Sequence, residues 1–198
     1  MIYFSFDMSM RKDLRLDLIV KCEAAGAKVH GVVFDLGNHG FLKQFQILSE
    51  QRYSYTNPVD QNRELFFFAD TPHMLKLLGN HMLDKGFTLS SEGKTVNLCK
   101  EDFEKLLLLD GKELKLVPKL NHSHLDVRGI GRQRVRPAAQ LLSESVAKAF
   151  TFHFGESYMI QSKFVQLVND WFDVMNSRCV NIHIHLFSLI DNGSITLN

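Results

Sequence analysis

FFFADTPHMLKLLGNHMLDKGF, residues 66–87, changes its periodicity halfway along, and that change decides the fold. Leu65–Ala69 is a short apolar block rich in aromatic residues, which predicts a strand. Thr71 suits a helix N-cap, and Pro72 suits the first helical position, where a missing N–H costs nothing. Met74, Leu75, Leu77, Leu78, Met82 and Leu83 then recur at helical spacing, and Gly86 suits the stop. Local physics accounts for the strand, the cap and the helix. It does not account for His73, Lys76 and Asn80.

Upstream, residues 2–6 read as a strand. Met10–Ala25 reads as a helix with Leu14, Leu18, Ile19 and Cys22 on one face. Gly26 follows as its C-cap, and Lys28–Phe34 is a second strand ending at Asp35. A strand–helix–strand unit of this kind favours a parallel pair with a right-handed crossover. Gln51–Glu64 is polar, contains Asn-Pro, and reads as a boundary loop. Downstream, helical patterns dominate at 72–85, 100–109, 134–152 and 159–176, with Pro137 tolerated near the start of the third. The last stretch, from Cys179, is short alternating β-type sequence without an evident partner. The expected architecture is mixed α/β: residues 1–50, a linker at 51–64, a mainly helical domain at 65–178 and a tail at 179–198.

A chain of 198 residues with 45% hydrophobic content can build one core or two small ones. Its 23 basic and 22 acidic residues leave a formal charge of +1, so no whole-chain field draws it to nucleic acid or membrane. Cys22, Cys99 and Cys179 lack CxxC spacing, which favours reduced thiols. No apolar run approaches the roughly 18–20 residues of a membrane-spanning helix, and no signal-peptide pattern opens the chain. The expectation is a soluble nuclear or cytoplasmic protein with no membrane partner.

Several clusters could carry chemistry. Asp35, at the C-terminal end of a predicted strand, reads either as a carboxylate for a divalent metal or as a turn acid before Gly37. GFTLSSEGKT ends like a phosphate-binding loop, but six residues separate Gly86 from Gly93 where that loop has four; a hairpin-like turn fits better. His73 and His81 lie about two turns apart on one helix face, too far to share a metal. Those two, with the His122/His124 and His183/His185 pairs, read as structural or solvent-facing. HLDVRGIGRQRVRP gathers Arg128, Arg132, Arg134 and Arg136, whose forks suit phosphate oxygens; a solvated loop and helix start fits equally. NDWFDVMNSR, residues 169–178, places Asp173 and Asn176 on one helix face beside Trp171 and Phe172. A carboxylate there could accept the N1–H and N2–H edge of guanine while a ring stacks on the base. An amphipathic helix with a capped end is the commoner alternative.

Taken together, residues 66–87, 113–150 and 169–178 resemble the P element–type transposases, including the THAP domain-containing transposase 9 group. In order and spacing they are similar to that family's GTP-binding insertion domain. YFSFDMSM through VVFDLG is similar to part of its RNase H-like catalytic core. The resemblance implies a partial RNase H-like strand–helix–strand unit followed by the helical insertion, with GTP bound without a Walker motif. By motif position it implies Lys119 toward phosphate, Val135 and Ser143 lining the site, and Phe172, Asp173 and Asn176 holding the base. It implies DNA as a partner, Mg2+ as a cofactor of the nuclease, and room for a homo-oligomer. Asp35 matches the second of three family carboxylates that hold two metal ions. With the other two unmatched and no THAP zinc finger read, the expectation is a transposase-derived chain incomplete for DNA cleavage and strand transfer. The alternative is a domesticated DNA- or protein-binding module that binds no nucleotide.

Overall fold

The computed structural model describes residues 11–34, 44–45, 54–111, 115–176 and 196–197. Residues 2–6, Asp35, Cys179, His183 and His185 lie outside the described residues. Two compact units emerge, Met1–Asp70 and Thr71–Asn198, so the division falls inside the stretch quoted first.

In the first unit, α1 (Lys12–Ala24) ends in a Schellman motif: Ala27 N–H reaches Cys22 O at 3.0 Å and Gly26 N–H reaches Glu23 O at 2.9 Å. Its inward stripe runs through Arg15 and Ile19, while Leu14, expected on the buried face, is 56% exposed. Three strands follow, β1 (Gly31–Phe34), β2 (Ser54–Thr56) and β3 (Glu64–Ala69), in the order β1-β3-β2. β1 and β3 are parallel, with Gly31 opposite Phe66 and Phe34 opposite Ala69. β2 runs antiparallel to β3. Leu65 is buried, and Phe67 packs on the buried Phe45 ring at 5.0 Å; Phe66 and Phe68, on the other face, are exposed.

Residues 51–64 are therefore not a simple boundary loop. They contain β2, and Asn57 is 1% exposed at the centre of a polar knot. Asn57 Nδ2 donates to Glu23 Oε1 and to Val29 O, while its Oδ1 accepts from the N–H groups of Val59 and Asp60. Arg63 closes the knot with a two-pronged pair to Glu23, both contacts at 2.8 Å. At Asn57 and Arg63 the polarity reflects mutual satisfaction of enclosed groups, while Thr56, Gln61, Asn62 and Glu64 face solvent.

The second unit opens with α2 (Thr71–Asp84), in which Thr71 is the first helical residue rather than the cap. Gly86 ends it at φ +72°, and a Cβ there would come within 2.6 Å of Leu98 O, so only glycine serves. β4 (Phe87–Ser91) and β5 (Lys94–Leu98) form a hairpin whose two-residue loop, Glu92-Gly93, has positive φ at both positions. This is the expected turn, in the primed form that suits strand twist. Thr196–Leu197 (β6) pairs antiparallel with Leu89 and Ser90, so these two residues of the tail do find a partner.

Among the described residues of this unit five more α-helices follow: α3 (Lys100–Leu109), α4 (His122–Leu125), α5 (Val135–Leu141), α6 (Glu144–Phe154) and α7 (Met159–Met175). The single helix expected at 134–152 is thus two, broken at Leu142-Ser143. The core gathers Leu75, Met82, Phe103, Leu141, Phe150 and Val165, one or more from every long helix. At Gly79 a Cβ would lie 2.7 Å from the Ala138 Cβ, so glycine lets α2 and α5 cross closely. Among the described residues, no helix is long and apolar enough to cross a membrane.

Candidate functional site

The break between α5 and α6 leaves Ser143 as the N-cap of α6, with its Oγ donating to Gln140 O at 3.0 Å. The next amide, Glu144 N–H, donates at 3.1 Å to Asn169 Oδ1 on α7. Asn169 Nδ2 in turn donates to Asp173 Oδ2 at 2.9 Å. Two hydrogen bonds in series therefore bring the start of α6, with Ser143, to the end of α7, with Asp173. Asn169 is the link, and the sequence reading gave it no role; its position one helical turn before Asp173 was the available signal.

Asp173 is exposed and lies in the last turn of α7, which carries no basic residue. A negative charge there opposes the helix dipole, so helix stability does not explain it. Phe172 beside it is partly buried against the core, and Asn176 forms the exposed C-cap, its N–H donating to Phe172 O at 2.9 Å. Val135 opens α5 and also packs on the core. Lys119 is exposed in the turn between Val117 and Leu120. Among the described residues, no hydrogen bond or ion pair joins Lys119 or Val135 to the Ser143–Asp173 chain.

The arginine cluster divides. Arg132 lies on Asp84 with both prongs, at 2.7 and 2.5 Å, and its Nε donates to Val127 O. The Arg132 hydrogen bonds hold the Asp84 carboxyl below its usual range, and Asp84 raises the guanidinium in return. Arg128 pairs with Asp126 at 3.0 Å. Arg134 and Arg136 are exposed with no carboxylate partner among the described residues. Arg134 faces a shallow cleft between α2 and α5, which Lys76, Asn80, His124 and Arg132 also line. Lys76 is half-buried there, also without a carboxylate partner among the described residues. Two of the polar residues that local helix physics left unexplained, Lys76 and Asn80, thus line this cleft.

Two further reactive side chains, Cys99 and His124, are tied into structure. Burial, then the neighbouring Glu101 and Asp102 carboxylates, push the Cys99 thiol up to about 11, which removes it as a nucleophile near neutral pH. His124 Nε2 lies 2.8 Å from Gln140 Oε1. Among the described residues, no three His, Cys, Asp or Glu side chains are grouped to hold a metal ion.

These features belong to a mainly helical unit with one β-hairpin, and comparison with known proteins places it in a family. The family described as the TNP-like, GTP-binding insertion domain matches residues 72–183, more than half of the chain, and the chain belongs to it. Among individual proteins, it is similar to the Transposable element P transposase of Drosophila melanogaster, 31% identical over 183 residues that cover 89% of this chain. The chain spans about a quarter of that relative's length (24%). Among solved structures it is similar to the Drosophila P element transposase strand transfer complex, with a TM-score of 0.72 and 31% identity over 85% of this chain and 39% of that one. The family match begins at Pro72, one residue past the boundary between the two units.

Proposed function

We propose that this chain binds a guanine nucleotide at the end of α7, as the insertion domain of a P element–type transposase. The observation that carries the reading is the Glu144–Asn169–Asp173 hydrogen-bond chain, which fixes an exposed carboxylate where the helix itself disfavours one. Asp173 has acceptor capacity left for the N1–H and N2–H of guanine, with Phe172 beside it for the ring. Asn176 offers an amide to O6, Ser143 and Val135 line the approach, and Lys119 meets phosphate. Mg2+ has no assigned ligands in this reading, because Asp35 lies outside the described residues.

Adenine has neither an N1–H nor an N2 donor, so GTP should bind in preference to ATP. Asp173→Ala should remove that preference, since hydrogen bonds to a charged acceptor are worth roughly 1.5–3 kcal/mol, about ten- to a hundredfold in affinity. Lys119→Ala should weaken both nucleotides alike. Titration of labelled nucleotides against the three proteins decides it: equal wild-type affinity for GTP and ATP rejects the guanine site.

A second reading rests on a different observation: Lys76 and Arg134 at the α2–α5 cleft, with Arg136 nearby in sequence, have no carboxylate partner among the described residues. Three such cations suit a DNA backbone. This reading adds DNA as a partner and is compatible with nucleotide binding at α7, so it does not choose the alternative module that binds no nucleotide.

A further inference from the structure

Asp110 is a carboxylate that nucleotide recognition does not touch, yet several donors converge on it. It ends α3, where its own N–H donates to Leu106 O, and the residue is 4% exposed. Its Oδ1 accepts from Leu116 N–H at 2.8 Å and its Oδ2 from Val117 N–H at 3.0 Å. His153 Nε2, from α6, lies 3.3 Å from Oδ1. Burial alone would push this carboxyl up; the Val117 and Leu116 amides, then His153, outweigh it and hold it below the usual carboxylate range.

What those amides belong to is the point. Val117 and Leu120 are both 3% exposed and form the base of a turn, with Leu120 N–H donating to Val117 O at 3.0 Å. Pro118 and Lys119 are its two central residues, and proline fixes φ where such a turn needs it. Beyond Leu120, Asn121 caps α4 by accepting Ser123 N–H at 3.0 Å. Asp110 fastens the incoming side of the turn, the α4 cap fastens the outgoing side, and Lys119 is exposed between them.

We propose that Asp110 is a positioning residue for phosphate recognition: it holds the Val117–Leu120 turn so that Lys119 is presented to the nucleotide phosphates. This rests on the guanine-nucleotide reading above. A fixed turn spares the nucleotide the cost of ordering it on binding. Asparagine at this position offers one acceptor and turns an N–H toward an N–H, so one of the two amide contacts is lost.

The test measures GTP and guanosine affinities for the wild type, Asp110→Asn, Lys119→Ala and the double variant. Guanosine has the base without the phosphates. Asp110→Asn should weaken GTP roughly three- to tenfold, the cost of ordering the released turn, and leave guanosine unchanged. The double variant should bind GTP no more weakly than Lys119→Ala alone, because the two substitutions remove one contact. If Asp110→Asn fails to fold, His153→Ala, which leaves both amide bonds in place, should give a smaller loss in the same direction. An unchanged GTP affinity, an equal loss for guanosine, or independent effects in the double variant overturns the assignment. Those outcomes differ from failure of the site itself, which shows as no guanine preference in the wild type.

Discussion

Glu23 and Asp173 are both carboxylates in the last turns of their helices, one in each unit, and their surroundings are opposite. Glu23 accepts both prongs of Arg63, the Val29 N–H at 2.7 Å and the Asn57 amide. The Arg63 hydrogen bonds first, then the Val29 amide, outweigh burial and hold its carboxyl at about 2. Asp173 takes hydrogen-bond support from the neutral Asn169 amide and stays open to solvent. The first acid is saturated and holds a fold together. The second is oriented but not saturated, which is what a binding group requires.

The most forceful way to break this contrast is to remove Arg63. Its side chain is 15% exposed and that of Glu23 only 7%, so Arg63→Ala leaves a charge enclosed without its counter-ion. Hydrogen exchange should show loss of protection at Val29 and across the β1–β3 pair, with α7 unaffected. Acid gives the same answer from another direction. The folded Glu23 pKa lies below its ordinary 4.5, so its contribution is complete above that value and fades as pH falls toward about 2. Glu23→Gln should flatten that fall as read at Val29. Unchanged Val29 exchange in Arg63→Ala would mean the knot does not hold the unit.

The same contrast recurs among cations within the second unit, with a smaller expected effect. Arg132 is paired with Asp84 and the Val127 carbonyl, whereas among the described residues Lys76 and Arg134 have no carboxylate partner. If the α2–α5 cleft meets DNA phosphates, Lys76→Ala and Arg134→Ala should each weaken duplex binding and reduce the log–log salt slope by about 1. Arg132→Ala should change the slope less, because its fork is already occupied. Equal slopes in all the variants would return the cleft to a solvated face.

Which of these distinctions were legible beforehand follows from their range. The β3-to-α2 transition, the Glu92-Gly93 hairpin and the Gly86 stop are encoded within a few residues, and each was read from the sequence. The Asn57 knot was not, because Glu23 lies 34 residues from Asn57 and 40 from Arg63; a polar segment looks alike whether water or protein satisfies it. The split at Leu142-Ser143 was hidden because the apolar period runs through it. The arginines were legible as a cluster, but their division depended on Asp84, 48 residues from Arg132. Asp173 was singled out by its aromatic neighbours, whereas Asn169 and Asp110 gain meaning only from amides on other segments.

The smallest effect tests the contrast at its centre. An acid kept for stability should cost stability when neutralised; one kept for a ligand need not. Asp173→Asn retains an oxygen to accept the Asn169 amide, so the link to α6 persists while the charge is lost. Removing a negative charge from an exposed helix C-terminus is worth about 0.3–1 kcal/mol in favour of the helix. The variant should therefore melt slightly higher than the wild type, and the gain should shrink with added salt. The same variant should lose its preference for GTP over ATP, because the amide places a donor where guanine also donates. A variant both more stable and less selective is the signature of a residue maintained against the preference of its own helix. If Asp173→Asn instead lowers the melting temperature, Asp173 belongs with Glu23 as a structural acid, and the distinction between the two helix ends is lost.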